Sequence, residues 1–202
     1  MGFGALLFLL LVILASVAVV GVVRRSSRSR AAAEASRELT LFDLSVGDIV
    51  QHELTDWVVE DRLVYRQGDF SWLEYLLRDQ DRSLWLVVNE DDNLVVTVET
   101  PIDLPFSLDA KPPSQIELDG RIYRLNERGT AVVTAEQRRV NKHLGSCQFF
   151  DYRSSSSAVL SIELWGSHAA GAGEMEATVG ERVAPLSLSL LPGDGRSVYR
   201  PN

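Results

Sequence analysis

Two glutamates pose the chemical question in this chain. Glu74 lies in Trp72–Arg78 (WLEYLLR) and Glu163 in Ser157–Trp165 (SAVLSIELW), both apolar stretches of strand length. Two carboxylates sharing a pocket can act as acid and base when burial lifts one pKa. They can equally hold a cationic ligand. The bland alternative is that each points to solvent or caps a turn, as most carboxylates do. Trp165 adds to the case because strand alternation puts it on one face with Glu163 and Ser161. It also adjoins the glycine-rich run 166–173, where a small molecule could enter. Glu163, Trp165 and Glu74 are therefore the candidate ligand-binding residues, with a polyamine-like cation as the matching chemistry through carboxylates and aromatic faces. Against this, Trp57, Trp72, Trp85 and Trp165 all sit in strand-like segments, where aromatic rings mostly serve as core.

Other reactive residues carry less. Glu90-Asp91-Asp92 lacks the alternating acidic positions and the glycine of a calcium loop, so it reads as a solvated turn. His52, His143 and His168 are scattered, with no paired-cysteine or HExxH spacing to hold zinc. His143 and Cys147 straddle Gly145, so no helix aligns them as a dyad. Nucleophile-elbow, phosphate-loop and dinucleotide fingerprints are absent from the sequence. The expectation is a non-enzyme with no cofactor and no metal.

The elements that must position these residues are strands. Gly47 supplies a turn before Ile49–Leu54, and Trp57–Arg66, Trp72–Arg78, Leu84–Val88 and Leu94–Val98 follow, rich in β-branched and aromatic residues. Leu84–Val88 (LWLVV) is a continuous apolar run, as in a strand buried on both faces. Four prolines between Pro101 and Pro113 mark a connector. The pattern then restarts: Ile116–Leu125 resembles Leu44–Leu54, Cys147–Arg153 resembles Trp72–Arg78, and Ser157–Trp165 resembles the run around Leu84–Val88. An offset of about 73–75 residues reads as internal duplication of an antiparallel β meander. Neither half has enough area for a good core alone, so the two are expected to close into a barrel or pack as a two-sheet sandwich. Glu174–Val183 is the last expected strand. The resulting division is a first β half at 41–100, a connector at 101–114, a second half at 115–191, and a disordered tail at 192–202.

Ahead of the sheet, Gly2–Val23 contains no charged or strongly polar side chain. At a rise of about 1.5 Å per residue, some 22 residues reach ~33 Å, enough for the ~30 Å hydrocarbon core. A signal peptide carries its basic residues before the apolar run, whereas Arg24, Arg25, Arg28 and Arg30 follow this one, so a retained anchor is expected. These arginines place the N-terminus outside and the rest in the cytoplasm. They read as a stop-transfer flank within a basic, alanine-rich linker (24–40), although attraction to anionic lipid is the alternative.

The whole chain carries a formal net charge of −8, and all of its acidic residues lie beyond the arginine cluster. Such a surface repels nucleic-acid phosphates, so no nucleic-acid partner is expected. The single cysteine, Cys147, excludes an intramolecular disulfide and fits a buried, inert thiol.

Leu44-x-x-Gly47-Asp48-Ile49-Val50, Trp72-x-Glu74-Tyr75-x-Leu77, Leu84-Trp85-Leu86 and Ile162-Glu163-x-Trp165-Gly166 together resemble domain-of-unknown-function family 4178, over about residues 41–185. The family has no established reaction, so the resemblance implies no catalytic residues. It implies a bacterial context near small membrane proteins and proteins similar to polyamine aminopropyltransferases, in envelope-stress clusters. The leading expectation is thus a membrane-anchored cytoplasmic adaptor that binds another membrane-associated protein, since a tether raises local concentration. A small-ligand sensor comes second, and a carboxylate enzyme using Glu74 or Glu163 last. A polar cavity between the halves would favour the sensor, and a solid apolar core the adaptor.

Overall fold

In a computed structural model, residues 38–105, 112–136, 144–166, 174–193 and 195–197 are described. The apolar segment Gly2–Val23 and the arginines at 24, 25, 28 and 30 lie outside them. Among the described residues no helix is long and apolar enough to cross a membrane.

The alternating and apolar stretches form strands β1 (Ile49–His52), β2 (Thr55–Gln67), β3 (Phe70–Asp79), β4 (Arg82–Glu90) and β5 (Leu94–Ile102). After the connector come β6 (Gln115–Leu118), β7 (Arg121–Ala135), β8 (Gly145–Arg153), β9 (Ala158–Trp165), β10 (Glu174–Val183) and β11 (Ser189–Leu191). Every pairing is antiparallel, in the order β11-β1-β2-β3-β4-β5-β10-β9-β8-β7-β6. Because β2 also pairs β7, the run from β2 through β5, β10 and back to β7 closes into a ring of hydrogen-bonded strands. The two-residue hairpin at Asp119-Gly120 has both residues at positive φ (51° and 71°), the twist that suits antiparallel neighbours.

Each half runs as five successive strands. By order along the chain β6 and β7 are the first two strands after the connector, as β1 and β2 are the first two before it. Arg121–Leu125 opens β7, and Ile116–Leu118 lies in β6 before it. The segment joining β7 to β8 (136–144) is much longer than the Gly68-Asp69 turn joining β2 to β3, so no one offset can register both strand pairs. The connector also begins later than expected. β5 runs through Pro101, past Glu99 where its pairing with β4 ends, so that Pro101 has a neighbouring strand on one side alone, β10.

Both faces of the ring are covered. Leu86 and Val88 of β4 join Val50, Trp57, Val59 and Tyr75 in one outer cluster, while Trp85 of the same strand faces inward. Leu84–Val88 is thus apolar throughout because both its faces are buried. A second outer cluster gathers Ile116, Tyr123, Tyr152, Leu160 and Ile162 over the other half. The tail expected to be disordered from 192 is docked where it is described: Gly193 N–H donates to Asp48 at 2.9 Å, and the Ser197 hydroxyl donates to Glu60. The three-residue β11, which caps β1, was too short to register as a sequence pattern.

Gly180 lets β10 lie against β5. A Cβ there would stand 2.0 Å from the Val98 carbonyl oxygen, a backbone atom that cannot swing aside. Gly180→Ala is expected to cost about 1–3 kcal/mol in urea unfolding of the full-length chain, the range for overpacking. Wild-type stability in that variant would show that this seam is looser than described.

Candidate functional site

The inner face of the ring changes character along its length. Leu63, Tyr65, Leu76, Trp85, Val133 and Trp165 fill one part with apolar side chains. Beyond the Trp72 and Phe149 rings, which meet edge to face at 5.1 Å, the space opens into a cavity of about 100 Å³. By the same measure a water needs roughly 10–15 Å³, so several water-sized groups fit.

Strand alternation fixes what lines this cavity. On β8 the inward positions run Cys147, Phe149, Asp151, so the thiol is buried and the carboxylate reaches the cavity. On β9 Ser161 and Glu163 face inward beside it, from β3 comes Glu74, from β5 Glu99, and from β10 Glu176 and Thr178. Register puts Asp151 directly opposite Ser161, and Glu163 opposite Glu176. Several of the carboxylates are held by short-range donors. The Trp72 indole donates to Glu74 (3.3 Å), Thr97 and Thr178 donate to Glu99 (both 2.5 Å), and Ser161 donates to Asp151 (2.6 Å). Oxygens fixed by donors on one side are presented in set directions on the other.

Such crowding has an electrostatic consequence. Burial pushes the Asp151 carboxyl up to about 7, the Ser161 hydrogen bond pulls the other way, and Glu99, Glu127 and Glu163 add to the rise. The surface Asp151 keeps belongs to the cavity wall, so it is enclosed even though it is not sealed. Burial, then Glu74 and Glu163, likewise hold the Tyr65 hydroxyl well above its ordinary value.

The sequence candidates separate here. Glu74, on β3, and Glu163, on β9, meet on one cavity. Trp165 does not line it; the ring is buried in the apolar part of the interior. The glycine-rich run lies outside the described residues beyond Gly166, as do His143 and His168. Asp151, Glu99 and Glu176 were missed, although the same period-two reading applied to β8 and β5 places Asp151 and Glu99 on the inner face. Glu90 ends β4, and Asp91 and Asp92 begin the turn to β5 and stand at the cavity's opening. Among the described residues no three His, Cys, Asp or Glu are arranged to hold a metal ion.

The fold and cavity define a class: an all-β antiparallel domain whose strand pairing closes on itself around a carboxylate-lined space. The family model for a domain of unknown function, DUF4178, matches residues 45–185, and the chain belongs to that family. It is 33% identical over 130 residues to uncharacterised proteins of Mycobacterium bovis and of two strains of Mycobacterium tuberculosis. That match covers 60% of this chain and 61% of each relative. No solved structure matches it.

The Asp151 shift makes stability depend on pH. The folded carboxyl holds its proton where the unfolded one, near its ordinary 3.8, has lost it, so stability falls as pH rises from about 4 to about 7. At about 1.4 kcal/mol per unit this amounts to a few kcal/mol. Asp151→Asn is expected to remove that slope, leaving the variant more stable than wild type at pH 8 in urea titrations. Parallel pH profiles for the two proteins would show that Asp151 titrates normally.

Proposed function

We propose that this domain binds a small cationic ligand in the cavity between its two halves, as the sensing part of a membrane-anchored cytoplasmic protein. The observation that carries the reading is the convergence of Glu74, Glu99, Asp151 and Glu163 on one enclosed space. An ammonium group offers three donors and matches clustered carboxylate and hydroxyl acceptors. The Trp72 and Phe149 rings at the cavity's inner end offer faces to an alkyl chain or a cation. The lack of a compact metal-ligand group among the described residues favours an organic cation over a bare ion.

In this reading the ring is a barrel, the halves are duplicates, and the N-terminal segment is the anchor that keeps the sensor at the bilayer. The anchor also suits the protein-binding adaptor, but an adaptor makes no use of the cavity. Acid–base catalysis by Glu74 and Glu163 ranks below both, since nothing on the wall marks a nucleophile or an oxyanion site.

Thermal unfolding of the full-length chain in a non-ionic maltoside tests the proposal, with putrescine and spermidine as probes. At about a hundred times Kd, binding adds about 2.7 kcal/mol, which raises Tm by roughly 5–10 °C for a chain of this size. Glu74→Gln and Glu163→Gln are each expected to remove most of that rise. A wild-type Tm unmoved by either amine at millimolar concentration would reject the proposal.

A further inference from the structure

The mouth of the cavity differs from its floor in holding arginines beside its carboxylates Asp91, Asp92 and Glu127. Arg153 ends β8 and lines both the cavity and its opening, and Arg182 of β10 lines the opening beside it. In register Arg124 of β7 lies directly across from Arg153, so the two share a face of the sheet. That face is the inner one, because Asp151 stands two residues before Arg153 on the same strand. Arg182 is directly opposite Thr97, whose hydroxyl donates to Glu99, so it too belongs to the inner face.

Like charges directly opposite each other on neighbouring strands are destabilising. Two such pairs of opposite sign occur here: Arg124 across from Arg153, of which Arg153 lines the mouth, and Glu163 across from Glu176 on the cavity wall. None of Arg124, Arg153 and Arg182 is in an ion pair with a described residue, in a chain whose formal net charge is −8. Asp91, Asp92 and Glu127 share the rim without forming an ion pair with them. A simple cation would answer the carboxylates and leave the arginine pair uncompensated.

We infer that the ligand is a short zwitterion, its ammonium end among Glu74, Glu163 and Asp151 and its anionic end, a carboxylate or phosphate, held by Arg153, Arg124 and Arg182. This rests on the cation reading of the cavity and narrows it. Two residues of strand separate Asp151 from Arg153 and four separate the level of Glu163 from it, which sets the charge spacing at about 7–13 Å. The arginine fork suits either anion through paired N–H donors.

A length-matched series tests this by calorimetry on the full-length chain in maltoside: 1,7-diaminoheptane, 7-aminoheptanoate, 6-aminohexyl phosphate and pimelate. One or both zwitterions are expected to bind at least tenfold tighter than the diamine, with pimelate weakest; the tighter one names the anionic group. Arg153→Gln should bring zwitterion and diamine within threefold by weakening the zwitterion alone, its unchanged diamine affinity showing that the fold is kept. Arg153→Lys should retain part of the preference. Diamine binding equal to or tighter than both zwitterions in the wild type, or equal weakening of all probes by Arg153→Gln, would overturn the inference and leave the cation site standing. Binding of no probe would overturn both.

Discussion

Everything in this domain depends on strand pairing that returns to its starting point. Two seams accomplish this. One is the short pairing of Leu63–Arg66 with Val132–Ala135, and the other the longer pairing of Val96–Ile102 with Ala177–Val183. Without either seam the sheet would lie open, and its inner carboxylates would face bulk water at small energetic cost. With both, the same side chains share an enclosed space in which charges interact strongly and solvent screens them poorly. The closure therefore creates the chemistry as well as the shape.

The two ends of the interior are built differently on purpose of packing. Bulky apolar groups such as Tyr65, Trp72, Trp85 and Phe149 cluster in one part, and Tyr65 and Trp72 stack at 4.9 Å. That packing stabilises the ring and lets the other part remain hollow. Outer clusters over both halves, capped by β1 with β11 and by β6, do for the external faces what solvent does in an ordinary half-exposed sheet. Buried carboxylates at the cavity sacrifice stability, and hydroxyl donors at Thr97, Thr178 and Ser161 offset part of that cost.

Much of the fold was legible because it rests on local alternation. β2 to β5 and β8 to β10 all appear as strand-length runs, and LWLVV announced a strand covered on both faces. Less legible was anything that depends on which strand lies beside which. The stretch 116–125 divides between β6 and the start of β7, which its pattern alone does not show, and β11 offers only three residues. Glu74 and Glu163 were visible as candidates, yet their meeting on one cavity follows from ring closure, which no local pattern encodes. Asp151 and Arg153 show the same limit. Each looks like an ordinary polar strand residue until register places Ser161 across from one and Arg124 across from the other. Trp165 erred the other way: its face was right, but neighbouring strands make that level of the interior apolar.

The most direct measurement is of the seams themselves, by inter-strand NOEs in the full-length chain. Closure predicts contacts between Leu63–Arg66 and Val132–Ala135 together with contacts between Val96–Ile102 and Ala177–Val183. Finding the second set alone, with fast amide exchange along Leu63–Arg66, would mean an open sheet with no enclosed cavity and would contradict the account.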